Sequence, residues 1–329
     1  METGTLGNSG RAVTPLGLGL AALGRPGYIN LGHADDLERT YDVESMRAHA
    51  HEVLDAAWDA GVRYFDAARS YGQSEEFLRS WIAQRNLSAD SLTVGSKWGY
   101  TYTADWQIEA EAHEVKEHSL TRLQQQWAET QALLSSHLSL YQIHSATLES
   151  GVLENDEVLR ELARIKAEAG IAIGLSVSGA AQAEVIRRAV AVEVDGTPLF
   201  DRIQATWNLL EPAAGDALEE AHAAGCFIVV KEALANGRLT ERNREAKQIA
   251  ALRFVAAEVG ASMDQMALAA VLQQPWCGCA LSGAATVEHV QSNVGAIKFS
   301  HGVEWSTGLG GLAETSETYW ATRQRLAWN

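Results

Sequence analysis

Residues 61–72 read Gly61-Val-Arg-Tyr-Phe-Asp66-Ala-Ala-Arg-Ser-Tyr71-Gly72. Upstream, Met46, Ala50, Val53, Leu54, Ala57 and Trp58 fall on one helical stripe. Gly61 stands where such a helix would close on a left-handed residue. The run 62–66 is short, β-branched and aromatic, and it ends on a carboxylate. Helix, glycine, strand and polar strand end, in that order, form the unit of a parallel sheet wrapped by helices.

The same unit recurs along the chain. Candidate strands lie at 16–20, 62–66, 92–97, 138–144, 171–176, 202–206, 226–230 and 279–282. Several are near-continuous apolar runs, as expected where both faces of a parallel strand are buried. Leu159, Leu162, Ala163 and Ile165 repeat the helical stripe, with Lys166 and Glu168 opposite. Gly170 and Gly225 repeat the closing glycine. Eight alternations predict an α/β fold of the (β/α)8 TIM barrel type. A doubly wound sheet would carry an early G-x-G-x-x-G. Gly17 and Gly19 lack the third glycine, so that alternative is weak. Residues 2–14 read as a β-hairpin turning at Asn8-Ser9-Gly10, placed to plug one barrel end. Residues 299–329 read as an irregular tail. No linker divides the chain, which is expected to form one domain over 1–329.

Composition narrows the function. The 329 residues are 47% hydrophobic and carry a formal charge of −16. A surface this acidic repels nucleic acid and anionic membranes, and no such partner is expected. Cys226, Cys277 and Cys279 lack framework or metal spacing and read as buried, reduced thiols. With no signal-like start and no membrane-length apolar run, the chain is expected to be cytoplasmic. His49 and His51 are two apart on a helix, and His113 and His118 are five apart. Neither spacing makes a metal site, and none is expected.

In a (β/α)8 barrel the polar residues at C-terminal strand ends face the active site. Asp66, Lys97 and His144 are such residues, and Tyr71 follows in the next loop. A tyrosine hydroxyl titrates near 10. An adjacent ammonium would lower that value, with an aspartate orienting the ammonium, so the set suits proton transfer to a carbonyl oxygen. Asp66 and Lys97 could instead be a structural ion pair, Tyr71 a loop aromatic and His144 a core histidine. In sequence, Asp66-Ala-Ala-Arg-Ser-Tyr71-Gly72-Gln-Ser-Glu75, Ser96-Lys97 and Gln142-Ile143-His144 resemble the motifs of the aldo-keto reductase family. The resemblance runs from about residue 15 to residue 298. It implies an NAD(P)-dependent oxidoreductase in which Tyr71 is the general acid/base, Lys97 and Asp66 tune it, and His144 positions the carbonyl.

The resemblance also implies a cofactor site. Ser176 and Gln204 match residues that hold the nicotinamide carboxamide, although Val177 replaces an amide. Lys231, Leu234 and Gly237 match the loop over the pyrophosphate, with Lys231 where many relatives place a stacking aromatic. Ser282, Gly283 and Asn293 match the turn and helix of the adenosine end, where backbone donors can hold an anion. Trp98, Tyr100 and Trp207 are expected to line an apolar substrate pocket; for each, plain packing is the alternative. No arginine or lysine falls between Ser282 and His289, where many relatives hold a 2′-phosphate. NAD is therefore expected to serve at least as well as NADP, unless Arg238, Arg242 or Lys298 folds across. The expected activity is hydride transfer between the cofactor and a small aldehyde, ketone or sugar/alcohol. One alternative is a cofactor-binding regulatory subunit of the same fold. Another is a lyase using Lys97 as a Schiff base.

Overall fold

The computed structural model describes residues 4–5, 12–300 and 306–329. Eight parallel strands close into a barrel. They are β1 (Leu16–Gly19), β2 (Tyr64–Asp66), β3 (Thr93–Trp98), β4 (Leu138–Ala146), β5 (Ala172–Val177), β6 (Arg202–Thr206), β7 (Phe227–Lys231) and β8 (Cys279–Ser282). Each pairs with its sequence neighbours, and β8 closes on β1 through Leu281 opposite Gly17. The sequence-derived strands coincide with these to within a few residues. Every residue of β2, β3, β5 and β6 is buried, which is why these runs do not alternate.

The outer helices start on capping side chains. Asp42 caps α1 (Val43–Asp59), Ser119 caps α3 (Leu120–Leu134) and Asn155 caps α4 (Asp156–Ala169), each accepting a backbone N–H. Between them runs α2 (Ser74–Arg85), followed after β5 and β6 by α5 (Gln182–Val190) and α6 (Gly215–Ala223). After β7 come α7 (Ala250–Val259) and α8 (Met263–Leu272), and after β8 comes α9 (Val287–Gly295). The α1 stripe buries Met46, Ala50, Val53, Leu54 and Ala57 against the barrel. Gly61, Gly170 and Gly225 all take positive φ.

At the N-terminal barrel end, Gly4–Thr5 pairs antiparallel with Ala12–Val13; the Asn8-Ser9-Gly10 turn lies outside the described residues. Val13 packs into a cluster with Tyr64, Leu140, Val229 and Cys279, so the second strand closes the barrel floor. The tail departs from expectation. It contains a further helix, α10 (Ser316–Gln324), capped by Thr315. Tyr319 and Trp320 are buried against residues of α7 and α8. Its repeated glycines hid this anchor, because the helical stretch is short and its buried face is only two aromatic residues wide.

Candidate active site

The C-terminal ends of the strands open into a cavity of about 640 Å³. Asp66 and Lys97 meet at its base and form an ion pair, Lys97 Nζ to Asp66 Oδ2. Lys97 Nζ also donates to the Ala67 carbonyl at 2.9 Å. Asp66 is further held by the Tyr64 hydroxyl at 2.5 Å and the Gln142 and Gln204 amides at 3.2 and 3.3 Å. Four donors on one buried carboxylate fix its position closely.

Above this pair stands Tyr71. The loop that carries it packs on the turn after β1, where the Gly24 carbonyl accepts the Gln73 N–H at 2.7 Å. Gly72 has φ +57°, and a Cβ there would lie 2.3 Å from the Gly24 oxygen. The glycine after the tyrosine is thus required by a close backbone approach. The Tyr71 hydroxyl lies 3.4 Å from His144 Nε2, and the two rings meet edge to face. Ser70 Oγ lies 3.3 Å from the other imidazole nitrogen, His144 Nδ1. Burial, with the Lys97, Lys231 and Arg25 charges, holds His144 well below the usual histidine range, so its ring is neutral.

The tyrosine differs from expectation. Burial, followed by the Asp66 charge, pushes the Tyr71 phenol well above 10 rather than below it. The Lys97 ammonium is 4.8 Å from the Tyr71 ring centroid, but its hydrogen bonds go to Asp66 and Ala67. The phenol therefore faces a nearly neutral pair, not a free cation. The Schiff-base alternative also fails on this geometry: Lys97 has no exposed surface and does not line the cavity.

Of the expected cofactor residues, Gln204, Lys231, Leu234, Gly237, Ser282, Gly283 and Asn293 line the cavity. Ser176 does not; its hydroxyl accepts the Ser145 N–H at 2.8 Å, and Ser178 takes its place in the wall. Asn293 donates to Ser282 Oγ at 2.8 Å, tying α9 to the end of β8. Lys231 donates to Thr206 and Ser178 at 2.9 and 3.3 Å, and burial pushes it down to about 8. The adjoining Glu232 is gripped by Arg323 of α10 at 2.6 Å.

The substrate wall is corrected. Trp98 is completely buried in the core and Trp207 packs on Trp276; neither lines the cavity. Tyr100 is not among the lining residues, and its ring lies 5.0 Å from that of His144. The aromatic wall is made instead by Tyr28 and Trp328, with Arg25 over both rings. Arg25 pairs with Glu114 at 3.0 Å. These residues come from the loop after β1 and from the far C-terminus. The one available signal was the Gly24-Arg-Pro-Gly27 turn, a few residues after a strand end; nothing local marked Trp328.

At the far end of the cavity Arg242 folds across and clamps Asp36, with its Nη2 3.4 Å from His289. Arg238 is taken by Glu314, and Lys298 is not part of the wall. Asp264 and Glu288 line the same end.

A closed parallel barrel with a tyrosine, a neutral histidine and a buried Lys–Asp pair at its strand ends defines a class of oxidoreductase, and comparison with known proteins agrees. The family model for the Aldo/keto reductase family matches residues 15–302, and the chain belongs to that family. It is 25% identical to Aldo-keto reductase str7 of Strobilurus tenacellus, across 91% of this chain and 88% of that protein. It is likewise 25% identical to the uncharacterized oxidoreductase YqkF of Bacillus subtilis, across 90% of this chain and 91% of that protein. Among solved structures, a putative aldo-keto reductase from Pseudomonas aeruginosa superposes with a TM-score of 0.63 at 25% identity, covering 89% of this chain and 93% of that one. The holo form of a Bacillus halodurans aldo-keto reductase superposes at 0.71 and 19% identity, covering 97% and 99%, a likeness of fold.

Proposed function

We propose that the protein transfers a hydride between a nicotinamide dinucleotide and a small aldehyde, ketone or the corresponding alcohol, a sugar included, with Tyr71 as general acid/base. The observation that carries this reading is the pairing of the Tyr71 hydroxyl with a neutral His144 over the cavity, with Lys97 and Asp66 beneath. A carbonyl oxygen seated in the cavity within reach of both the phenol and the imidazole would accept a hydrogen bond from each. His144 then orients it, and Tyr71 supplies the proton as negative charge develops on oxygen. The bound cofactor supplies or accepts the hydride.

The cavity supports a dinucleotide. It runs from Tyr71 past Gln204 and Lys231 to Ser282 and Asn293. A Cβ on Gly283 would meet nothing within 4 Å, so the turn into α9 leaves open space in front of backbone donors. For cofactor choice we favour NAD at least as much as NADP. The cation that reaches the adenosine end, Arg242, is already neutralised by Asp36, and Asp264 and Glu288 add negative charge there. A further dianion would have to displace Asp36 from the guanidinium.

The test is steady-state turnover of an aldehyde and sugar panel with both cofactors at fixed ionic strength. No turnover with any carbonyl or alcohol, despite cofactor binding, would return the protein to a regulatory role. A hundredfold advantage for NADP in kcat/KM would refute the reading of the adenosine end.

A further inference from the structure

Arg202, the first residue of β6, lies inside the barrel with no exposed surface. None of its guanidinium nitrogens reaches a hydrogen-bond acceptor among the described residues. Its Cζ sits 4.2 Å from the Tyr64 ring centroid and 5.7 Å from that of Phe227. Room for this stack comes from glycines. A Cβ on Gly17 would lie 2.4 Å from Tyr64 Cδ1, and one on Gly174 would lie 3.1 Å from Arg202 Cβ. A methionine would fill the same space without the cost of burying a charge that no carboxylate among the described residues pairs. A cation retained at that cost calls for a use.

The use is visible one layer up. Tyr64 carries Arg202 on its face and donates its hydroxyl to Asp66, which holds Lys97 below Tyr71. Asp66 and Lys97 cancel, so the catalytic cluster itself has no spare positive charge. Arg202 adds one. The ionisable groups that feel its charge are Tyr64 of β2, Lys97 of β3 and Cys279 of β8; Lys97 in turn faces Asp66 of β2, Glu75 of α2 and Lys231 of β7. We propose that Arg202 is a positioning residue that steadies Asp66 through Tyr64 and adds an unpaired positive charge beneath the Asp66–Lys97–Tyr71 cluster, so that the cluster releases a proton more readily. A fixed cation in a low-dielectric interior favours the more negative protonation states of every group near it. Consistent with this, burial lowers Lys97, Asp66 opposes and Arg202 adds to the lowering; for Tyr64, burial raises and Arg202 opposes.

The inference rests on Tyr71 being the proton donor, and the test separates the two. The titration of Lys97 is followed by NMR in the full chain carrying isotopically labelled lysine, assigned with Lys97→Met. Arg202→Met should move the Lys97 midpoint up by about one pH unit, the usual size for a nearby charge. Arg202→Lys should restore most of it. Should Arg202→Met not fold, Arg202→Gln removes the same charge and should show the same rise. Tyr64→Phe keeps the charge but takes a donor from Asp66, so kcat should fall while the Lys97 midpoint stays. In the Arg202 variants the limb over which alcohol oxidation rises with pH should move in the same direction as the Lys97 midpoint. An unmoved Lys97 in the neutral variants, or an equal rise in Tyr64→Phe, overturns the proposal. A Lys97 shift in a protein that oxidises no alcohol and reduces no carbonyl supports the electrostatic assignment and refutes the oxidoreductase reading instead.

Discussion

Arg323→Ala would cut the tie between the C-terminal helix and the end of β7. In the parent, Arg323 grips both oxygens of Glu232, at 2.9 Å through Nε and 2.6 Å through Nη2. Burial alone would raise the Glu232 carboxyl, yet Arg323 and then Lys231 hold it at about 2, against an ordinary 4.5. At about 1.4 kcal/mol per pH unit, that depression stands for about 3 kcal/mol of stability at neutral pH. Lys231 supplies part of it, so Arg323→Ala should cost about 2–3 kcal/mol, near the range for breaking a buried pair. The sign of the pH dependence follows. A carboxylate depressed by folding contributes fully above its unfolded value. The contribution is lost as pH falls from about 4.5 towards 2. The parent-minus-variant difference in urea unfolding should therefore be constant from pH 7 to about 5 and shrink below that.

The kinetic consequence is local. Arg323, Gln324, Leu326 and Trp328 all line the cavity, whereas Tyr71 and Lys97 stand on other elements. KM for carbonyl substrates should rise several-fold, with a smaller loss in kcat, because the wall moves and the proton donor does not. Equal stability of parent and variant at pH 7, or a difference that persists unchanged at pH 3, would refute the assignment of the stabilisation to Glu232.

Tyr71→Phe removes one weakly bonded hydroxyl, so folding and cofactor affinity should hold while turnover falls by about 10² or more; near-normal reduction of a good substrate would remove Tyr71 from the mechanism. Lys97→Met leaves the Asp66 carboxylate buried without its cation, and it should abolish turnover and cost about 3–5 kcal/mol in urea unfolding. If only stability falls, the pair is structural. Asp36→Asn frees Arg242 beside His289 and should raise kcat/KM for NADP relative to NAD by about tenfold; an unchanged ratio would show that Arg242 does not face the 2′ position.

The barrel was legible because most strand residues are buried on both faces and the outer helices on one, so hydrophobic period and closing glycines carry the pattern locally. Asp66, Lys97 and His144 were legible for a related reason: they sit at or near the C-terminal ends of strands, where side chains face the barrel mouth, and Tyr71 follows Asp66 by five residues in the adjoining loop. The walls were not. Trp98 follows Lys97 immediately, and alternation along β3 turns it into the core, away from the cavity. Tyr28 and Trp328 meet through the C-terminal residue, whose backbone exchanges hydrogen bonds of 3.1 and 3.2 Å with Tyr28. That contact joins chain segments some three hundred residues apart, which no local pattern encodes. Tyr71 shows a third limit. The residue types suggested a lysine held by an aspartate and lowering a phenol; the pair is there, but the balance between burial, the Asp66 charge and the ammonium depends on distances, and here burial and Asp66 prevail.

That pairing bears on direction. At rest Tyr71 is a neutral phenol held well above 10, and His144 is a neutral ring. Such a site can give a proton to a developing alkoxide at any pH below the phenol's own value, so reduction should show a flat profile through neutrality. Oxidation needs the phenolate, which the Asp66–Lys97 pair cannot stabilise by net charge. It therefore depends on positive charge brought from elsewhere: Arg25, whose Cζ lies 5.3 Å from the Tyr71 ring centroid and whose charge favours the phenolate, and Arg202 from below. If both contribute, the two directions respond to different residues. Neutralising Arg202 should depress oxidation near pH 7 by about tenfold for each pH unit its limb moves, and leave reduction little changed.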